Sequence, residues 1–388
     1  KHTIDGVEME FVCVLDTEAP VEIMIWLPQL KAFCTAEDMT HNMHNLQTLR
    51  GAKVRNGLLW SKAVDTAIER YGDQVEVSFS THHWPTWGNE RIVNYWEAQR
   101  DMYRYLHDQT LHLANRGLTP DEIAEEMKLP ASLASQFNCR GYYGTLSHNV
   151  KAQYDLYFGW FDGNPAHLNP LPPSELGAKY VEAIGGADKV LEVAKASYAK
   201  GEYRWVATLL DNLVFAEPEN KEARQLLADT YSQLGYQAES GPWRNFYLTG
   251  AQDLFKKNVP YTSKLINDGV LSQMDMGTLL DYCAIQLNGE KAGGKEAVIN
   301  INFTDTKEKV MLMLNNGVLN HRLGSQDKKA DLTMEIAKMD FVKLFFGRTD
   351  LQTLHKTNKV KPTGDTKAID IIRSACEPAD PNFNIVLP

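Results

Sequence analysis

The sequence predicts three consecutive parts: mixed α/β over 1–90, helical over 91–245 and α+β over 246–388. Three observations predict it. β-rich runs flank one apolar-spaced helix at the start, apolar residues then recur every three or four positions, and alternating runs beyond Pro242 meet at an Asn-Gly pair.

In the first part "VEIMIWL" and "KAFCTAE" are β-rich runs joined at Pro28, and "QVEVSFST" alternates as a strand does. "LLWSKAVDTAIERY" between them has helical spacing. The helical part opens with "NERIVNYWEAQRDMYRYLHDQTLHLANRG", expected to end at Gly117 as its C-cap. "TPDEIAEEM" then puts Thr119 at an N-cap, Pro120 at the first helical position and acids in the first turn.

Further on, Tyr198, Gly201 and Tyr203 are echoed by Tyr231, Gly235 and Tyr236, at offsets of 33, 34 and 33, with Pro218 between. That is a tetratricopeptide-like helical hairpin, too short for a solenoid, so a packing or dimerisation module is expected. In the third part "LLDYCAIQL" is helical, while "AVININ", "VMLML" and "VLNHRL" are strands turning at Asn316-Gly317, where both residues tolerate positive φ. A strand "DLTMEI" and an apolar helix "DFVKLFF" complete a small sheet with helices on one face. Such a layer encloses either a cavity for an apolar tail or, as apolar patterning more often means, an ordinary core.

Composition narrows the function. At 43% hydrophobic and 23% charged, the 388 residues are those of a globular protein. A net charge of −10 argues against a nucleic-acid binder. Five scattered cysteines without C-x-x-C indicate neither a zinc ribbon nor a disulfide framework. The longest apolar runs, such as "IMIWL", are too short to span a bilayer. G-x-G-x-x-G, Walker A and G-x-S-x-G are absent.

The residues that carry chemistry cluster early. Glu18 in "CVLDTEAP" and Glu37 in "CTAED" each follow a strand, where α/β enzymes place ligands, although any one such Glu is commonly a solvated loop acid. His82 and His83, beside Trp84 and Trp87, are zinc-ligand candidates or ordinary surface or core histidines. His41 and His44 are ligands, outer donors or helix-surface residues. Arg50 and Arg55, with Lys53, suit a tetrahedral oxyanion such as phosphate or sulfate.

Six blocks carry a resemblance: "TEAP", "AEDMTHNMHNLQTLRGAKVRN", "STHHWPTWGN", "RDMYRYLHDQTLHLANRGLTPDEIAEEMKLP", "NCRGYYGTLSHNVKAQYDLYFGWFDGNPAHLNPLPPSE" and "AESGPWRNFYLTGAQDL". Together they resemble the detergent-degrading alkylsulfatases of the metallo-β-lactamase superfamily, over essentially the whole chain. The resemblance implies a partial metallo-β-lactamase αββα domain over 1–90, a helical dimerisation domain over 91–245 and a sterol-carrier-protein-like domain over 246–388.

It also implies that Glu18, Glu37 and His82 (or its neighbour His83) help hold two Zn2+ ions. Arg50 and Arg55 would line the sulfate pocket, with His148, Tyr142 and Tyr143 near the active site. The family's H-x-H-x-D-H zinc motif does not occur among the eleven histidines. The chain opens directly into strand-like "VEMEFVCVL", as a piece starting inside the catalytic domain would, and the expectation is that a missing N-terminal segment supplies the other ligands.

The expected reaction is hydrolysis of an alkyl sulfate by a homodimer, through a zinc-acidified water with Arg50 stabilising the sulfate. Detergent degradation would suit a periplasmic or secreted protein. The alternative is a non-catalytic dimeric protein that binds apolar ligands.

Overall fold

A computed structural model describes residues 1–255, 267–380 and 382–388. The chain divides into two compact bodies, Lys1–Lys257 with Asn384–Pro388, and Asn258–Phe383.

The first body opens with a six-stranded sheet ordered β1 (His2–Ile4), β2 (Val7–Leu15), β3 (Val21–Leu27), β4 (Ala32–Cys34), β5 (Val77–Phe79) and β6 (Thr86–Trp87). All pairs are antiparallel except β4–β5, a parallel pair joined through helix α1 (Gly57–Tyr71). Asn56 caps α1 by accepting from the Leu58 and Leu59 N–H groups. Trp60, Val64 and Ala67 turn its apolar stripe inward.

The long helix α2 (Asn89–Ala114) packs on α1, and Trp26, Phe33, Trp60, Trp96 and Tyr103 share one core with both. α2 ends at Ala114 rather than at Gly117, which follows two residues after the Asn115 cap at φ 90°. α3 (Pro120–Glu126) has the expected start, with a full capping box between Thr119 and Glu122. Short α4 (Ala131–Ala134) leads to α5 (Leu146–Phe158), which packs on α2 and α3 in the same core.

α6 (Pro173–Ile184), α7 (Ala187–Ala199), α8 (Tyr203–Ala216), α9 (Lys221–Gln237) and α10 (Gly241–Asp253) form an array with its own core, joined by Val386 of the C-terminal tail. The tyrosine echo holds only in part. Gly201 turns the chain after α7 at φ 78°, whereas Gly235 is interior to α9, where an added Cβ would meet Leu248 at 3.0 Å. The first glycine serves a turn, the second a close helix contact.

The second body is α+β. Helices α11 (Asp268–Gln273), α12 (Met276–Ala284) and α13 (Gly289–Ala292) precede β7 (Ala297–Phe303), β8 (Lys309–Asn315), β9 (Val318–Leu323) and β10 (Leu332–Ile336). α14 (Lys338–Phe345), α15 (Leu351–Lys356), β11 (Val360–Gly364) and α16 (Lys367–Ala375) complete it. The sheet order is β11-β10-β7-β8-β9, with β10–β7 parallel, and Asn316 and Gly317 turn β8 into β9 at φ 53° and 75°. Ile299, Ile301, Leu312, Met334, Phe341 and Ile369 fill a core within this body.

One feature of the first sheet bears on what it carries. Val12, Val14, Met24 and Trp26 are buried under the helices, yet the opposite face is apolar too. There Phe11 pairs with Ile25, Cys13 with Ile23 and Leu15 with Val21, and Leu15 and Val21 are 56% and 63% exposed. Strands buried on both faces lose the polar alternation of half-solvated ones, and this patch is of the kind another layer covers. Replacing both Leu15 and Ile23 by Glu should change stability by less than about 0.5 kcal/mol per site and cut binding of a hydrophobic dye such as ANS. Unchanged dye binding would show that the face is not open in solution.

Candidate functional site

Three connections meet at one end of this sheet. β2 turns at Asp16, whose φ of 55° and bond to the Pro20 carbonyl place Glu18 at the tip. β4 runs into a tight turn at Ala36, at φ 49°, which presents Glu37. β5 ends beside it, and the Thr81 N–H donates to the Ala36 carbonyl, bringing His82 in. Because β4 and β5 are parallel, their carboxyl ends open side by side, the usual place for a site in such a sheet.

The structure brings most of the sequence candidates together and puts His44 among the metal-holding ones. Glu37 Oε1 lies 2.8 Å from His82 Nε2, and its Oε2 lies 3.3 Å from His44 Nε2. One ligand atom each from Glu18, Glu37 and His44 falls within a 4.8 Å group able to hold a metal ion. His44 is 3% exposed in irregular chain, not on a helix surface. Its Nδ1 faces the Asn45 carbonyl at 3.0 Å and Arg55 Nη1 at 3.2 Å. Nε2 meets the Glu37 carboxylate as a donor here; a metal would take that proton's place, with Nδ1 protonated and donating to the Asn45 carbonyl.

Arg55 and Arg50 part company. Arg55 is half-buried and donates to the Glu18 carboxylate and carbonyl, to Asn45 Oδ1 at 2.6 Å and to the Asn45 carbonyl at 2.8 Å. Arg50 is exposed and makes no hydrogen bond or ion pair with the described residues. Tyr143 packs its ring on His44, centroids 4.8 Å apart. His148 is buried with both nitrogens engaged: Nε2 is 2.7 Å from the Gln47 carbonyl, and Nδ1 accepts from Trp243 Nε1 at 3.1 Å.

His148 belongs to a row on α5 that grips the loop from 44 to 57. Asn149 accepts from the Leu46 N–H at 2.8 Å and donates to the His44 carbonyl at 2.9 Å. Gln153 accepts from the Gly57 N–H and donates to the Arg55 carbonyl. The Tyr103 hydroxyl accepts from the His44 N–H at 3.1 Å. Gly144 lets the segment before α5 lie against His44, since a Cβ there would sit 2.5 Å from the His44 carbonyl oxygen. No short motif marks these positions; among the polar residues of "LSHNVKAQYDLYF" nothing in the letters sets His148, Asn149 and Gln153 apart.

Adjacent acids are tuned oppositely. The His44 hydrogen bond, then that of His82, outweighs burial and lowers Glu37 to about 2. Burial, opposed by Thr17, raises Asp38 to about 8, so it is neutral at pH 7. His41, enclosed by Tyr95, Trp84 and His83, falls to about 4 through burial and then the His83 charge.

The match with known proteins is extensive. Residues 119–257 match the alkyl sulfatase dimerisation family and residues 264–388 the alkyl sulfatase C-terminal family. A linear primary-alkylsulfatase from Pseudomonas sp is 46% identical, covering 100% of this chain and 58% of that protein. An (R)-specific secondary-alkylsulfatase from Pseudomonas sp is 44% identical with the same coverage, and the alkyl/aryl-sulfatase BDS1 of Saccharomyces cerevisiae is 42% identical, covering 100% and 60%. The solved structure of the stereoselective inverting sec-alkylsulfatase Pisa1 from Pseudomonas sp. superposes with a TM-score of 0.96 at 43% identity, covering 100% of this chain and 61% of that one. The chain thus spans about three fifths of the length of these relatives.

Two outcomes follow from the geometry. Asn149→Ala leaves two buried backbone groups without partners and should cost about 1–3 kcal/mol in urea unfolding; a loss below about 0.5 kcal/mol would mean that α5 does not hold the loop. Asp38 has a folded pKa above its unfolded value, so it withholds stability progressively as pH rises from about 4 to 8. Asp38→Asn should therefore raise Tm more at pH 8 than at pH 4, and an equal shift at both would refute the assignment.

Proposed function

The chain belongs to the alkylsulfatase family, and from that premise we propose that it is part of a zinc-dependent enzyme that hydrolyses alkyl sulfate esters to alcohol and inorganic sulfate. The observation that carries this reading is the convergence of Glu18, Glu37 and His44 beside Arg55. Two carboxylates and an imidazole suit zinc, and three protein ligands leave a position for water. The set fits one ion. A second needs His82 and further ligands, which we assign to a layer covering the apolar face of β2 and β3.

Bound zinc would polarise the ester and acidify a water towards a pKa of about 7. The chain's own residues supply the rest. Glu37 stays anionic down to about pH 2 and so remains a ligand rather than an acid. Arg55 is spent on Glu18 and Asn45, where it holds the carboxylate in place. Arg50, exposed on the same loop and unpaired among the described residues, is the cation left for the sulfate, which a guanidinium fork suits. His148, with both nitrogens engaged by the Gln47 carbonyl and Trp243, acts by holding that loop. The region matching the dimerisation family exposes Trp160, Tyr180 and Trp205, surface that suits a homodimer. Among the described residues no helix is long and apolar enough to cross a membrane.

The test is sulfate release from decyl sulfate, with added zinc and with a chelator. Release that needs zinc and falls more than about 100-fold in Glu37→Gln supports the reading, since removing a direct ligand should cost at least as much as removing the outer partners of a metal site. Binding of the ester without release under either condition would identify a dimeric apolar-ligand-binding protein instead.

A further inference from the structure

Trp84, Phe137 and Tyr142 are 56%, 52% and 38% exposed, yet they form a continuous row of rings. Trp84 and Phe137 have centroids 6.2 Å apart, and Phe137 and Tyr142 5.6 Å. Single exposed aromatics are ordinary on a protein surface; a contiguous run of them is not.

Both ends of the row lie next to residues of the site. Trp84 contacts the rings of His83 and His41 at 5.8 and 5.1 Å and stands two residues from His82. At the other end Tyr142 precedes Tyr143, which packs on His44. A cavity of about 480 Å³ opens beside Trp84 and Phe137; the stacked rings of His41 and Tyr95, 5.0 Å apart, line one part of it and the polar Glu90, Arg91, Asn94 and Gln136 the other. Arg140 lies over the Tyr142 ring at 5.5 Å, with its charge matched by Glu239 at 2.6 and 3.0 Å. At the Tyr142 end the ring face therefore stands beside a paired charge.

We propose that this row is the subsite for the substrate's alkyl chain, with the sulfate held at the neighbouring Glu37–His44 site. It deepens the alkyl sulfatase reading and rests on it. An ester that joins an anion to an apolar chain needs a charged recess running straight into apolar surface, and the first body provides that junction here. Ring faces hold a chain by excluding water and by dispersion, which are not directional, so affinity should grow steadily with chain length. A fully buried methylene strengthens binding about fourfold, and one lying on an open wall about twofold.

Calorimetric binding of hexyl, octyl and decyl sulfonate, each below its micelle threshold and with zinc present, tests this. The C–S bond of a sulfonate is not an ester, so the chain-length dependence is read whether or not the protein cleaves sulfates. Absence of sulfate release would count against the sulfatase reading alone. Each added pair of carbons should tighten binding about fourfold in the unaltered chain, and less than about twofold in Trp84→Ala and in Phe137→Ala. Trp84→Leu and Phe137→Leu, which keep apolar bulk, should fall between, and they decide the matter if an alanine variant does not fold. A dependence on chain length that persists undiminished in the variants, as a tail site in the other body would give, overturns the proposal. So does an unaltered chain with no such dependence.

Discussion

Arg55 donates to the carboxylate and the backbone carbonyl of Glu18 on one side and to Asn45 on the other, with side-chain exposures of 11% for Arg55 and 17% for Glu18. Two charges so far from water are tolerable only together; deleting one partner of such a pair typically costs about 3–5 kcal/mol. The pairing makes the β2–β3 turn and the loop before α1 behave as one piece, though 37 positions separate them. Once Arg55 is fixed, His44 has a charged neighbour at Nδ1 and a carboxylate at Nε2, and its orientation has little freedom left.

The rest of the site is support for that arrangement. α5 holds the loop from behind through His148, Asn149 and Gln153, and Trp243 of α10 holds His148. A site whose direct contacts are fixed by such outer hydrogen bonds needs little reorganisation when an ion or an anion arrives. It also links the helical array to the loop that bears Arg50 and Arg55. Glu37 and Asp38 show the same economy of placement: one residue apart, one faces two imidazoles and stays ionised, while the other faces the core and keeps its proton.

What could be read from the sequence was local. Thr119 with Glu122, Asn316 with Gly317 and the stripe Trp60–Val64–Ala67 each act within a few residues, and each appears where its pattern predicts. Gly117 and Gly235 were harder, because a glycine can end a helix, follow its end or admit a neighbour, and the chemistry is identical in the letters. The site was legible as a set of candidates whose roles the letters left open. Arg50 and Arg55 differ by five positions and not at all in composition; only the packing leaves one in solvent and commits the other to Glu18. His44's setting was hidden for another reason. Asn149 and Tyr103, which hold it, lie 105 and 59 positions away, and contacts of that range depend on how α2 and α5 fold back over the loop.

The proposed activity depends on Glu18, Glu37 and His44, a group able to hold a metal ion beside a fixed guanidinium. Zinc content after equilibrium dialysis against zinc, measured by elemental analysis on the unaltered chain and on Glu37→Gln and His44→Ala, tests that most directly. At least one tightly held ion per chain, lost in both variants while the fold persists, is the predicted result. An unaltered chain that retains no zinc, or variants that retain as much as it does, would contradict it.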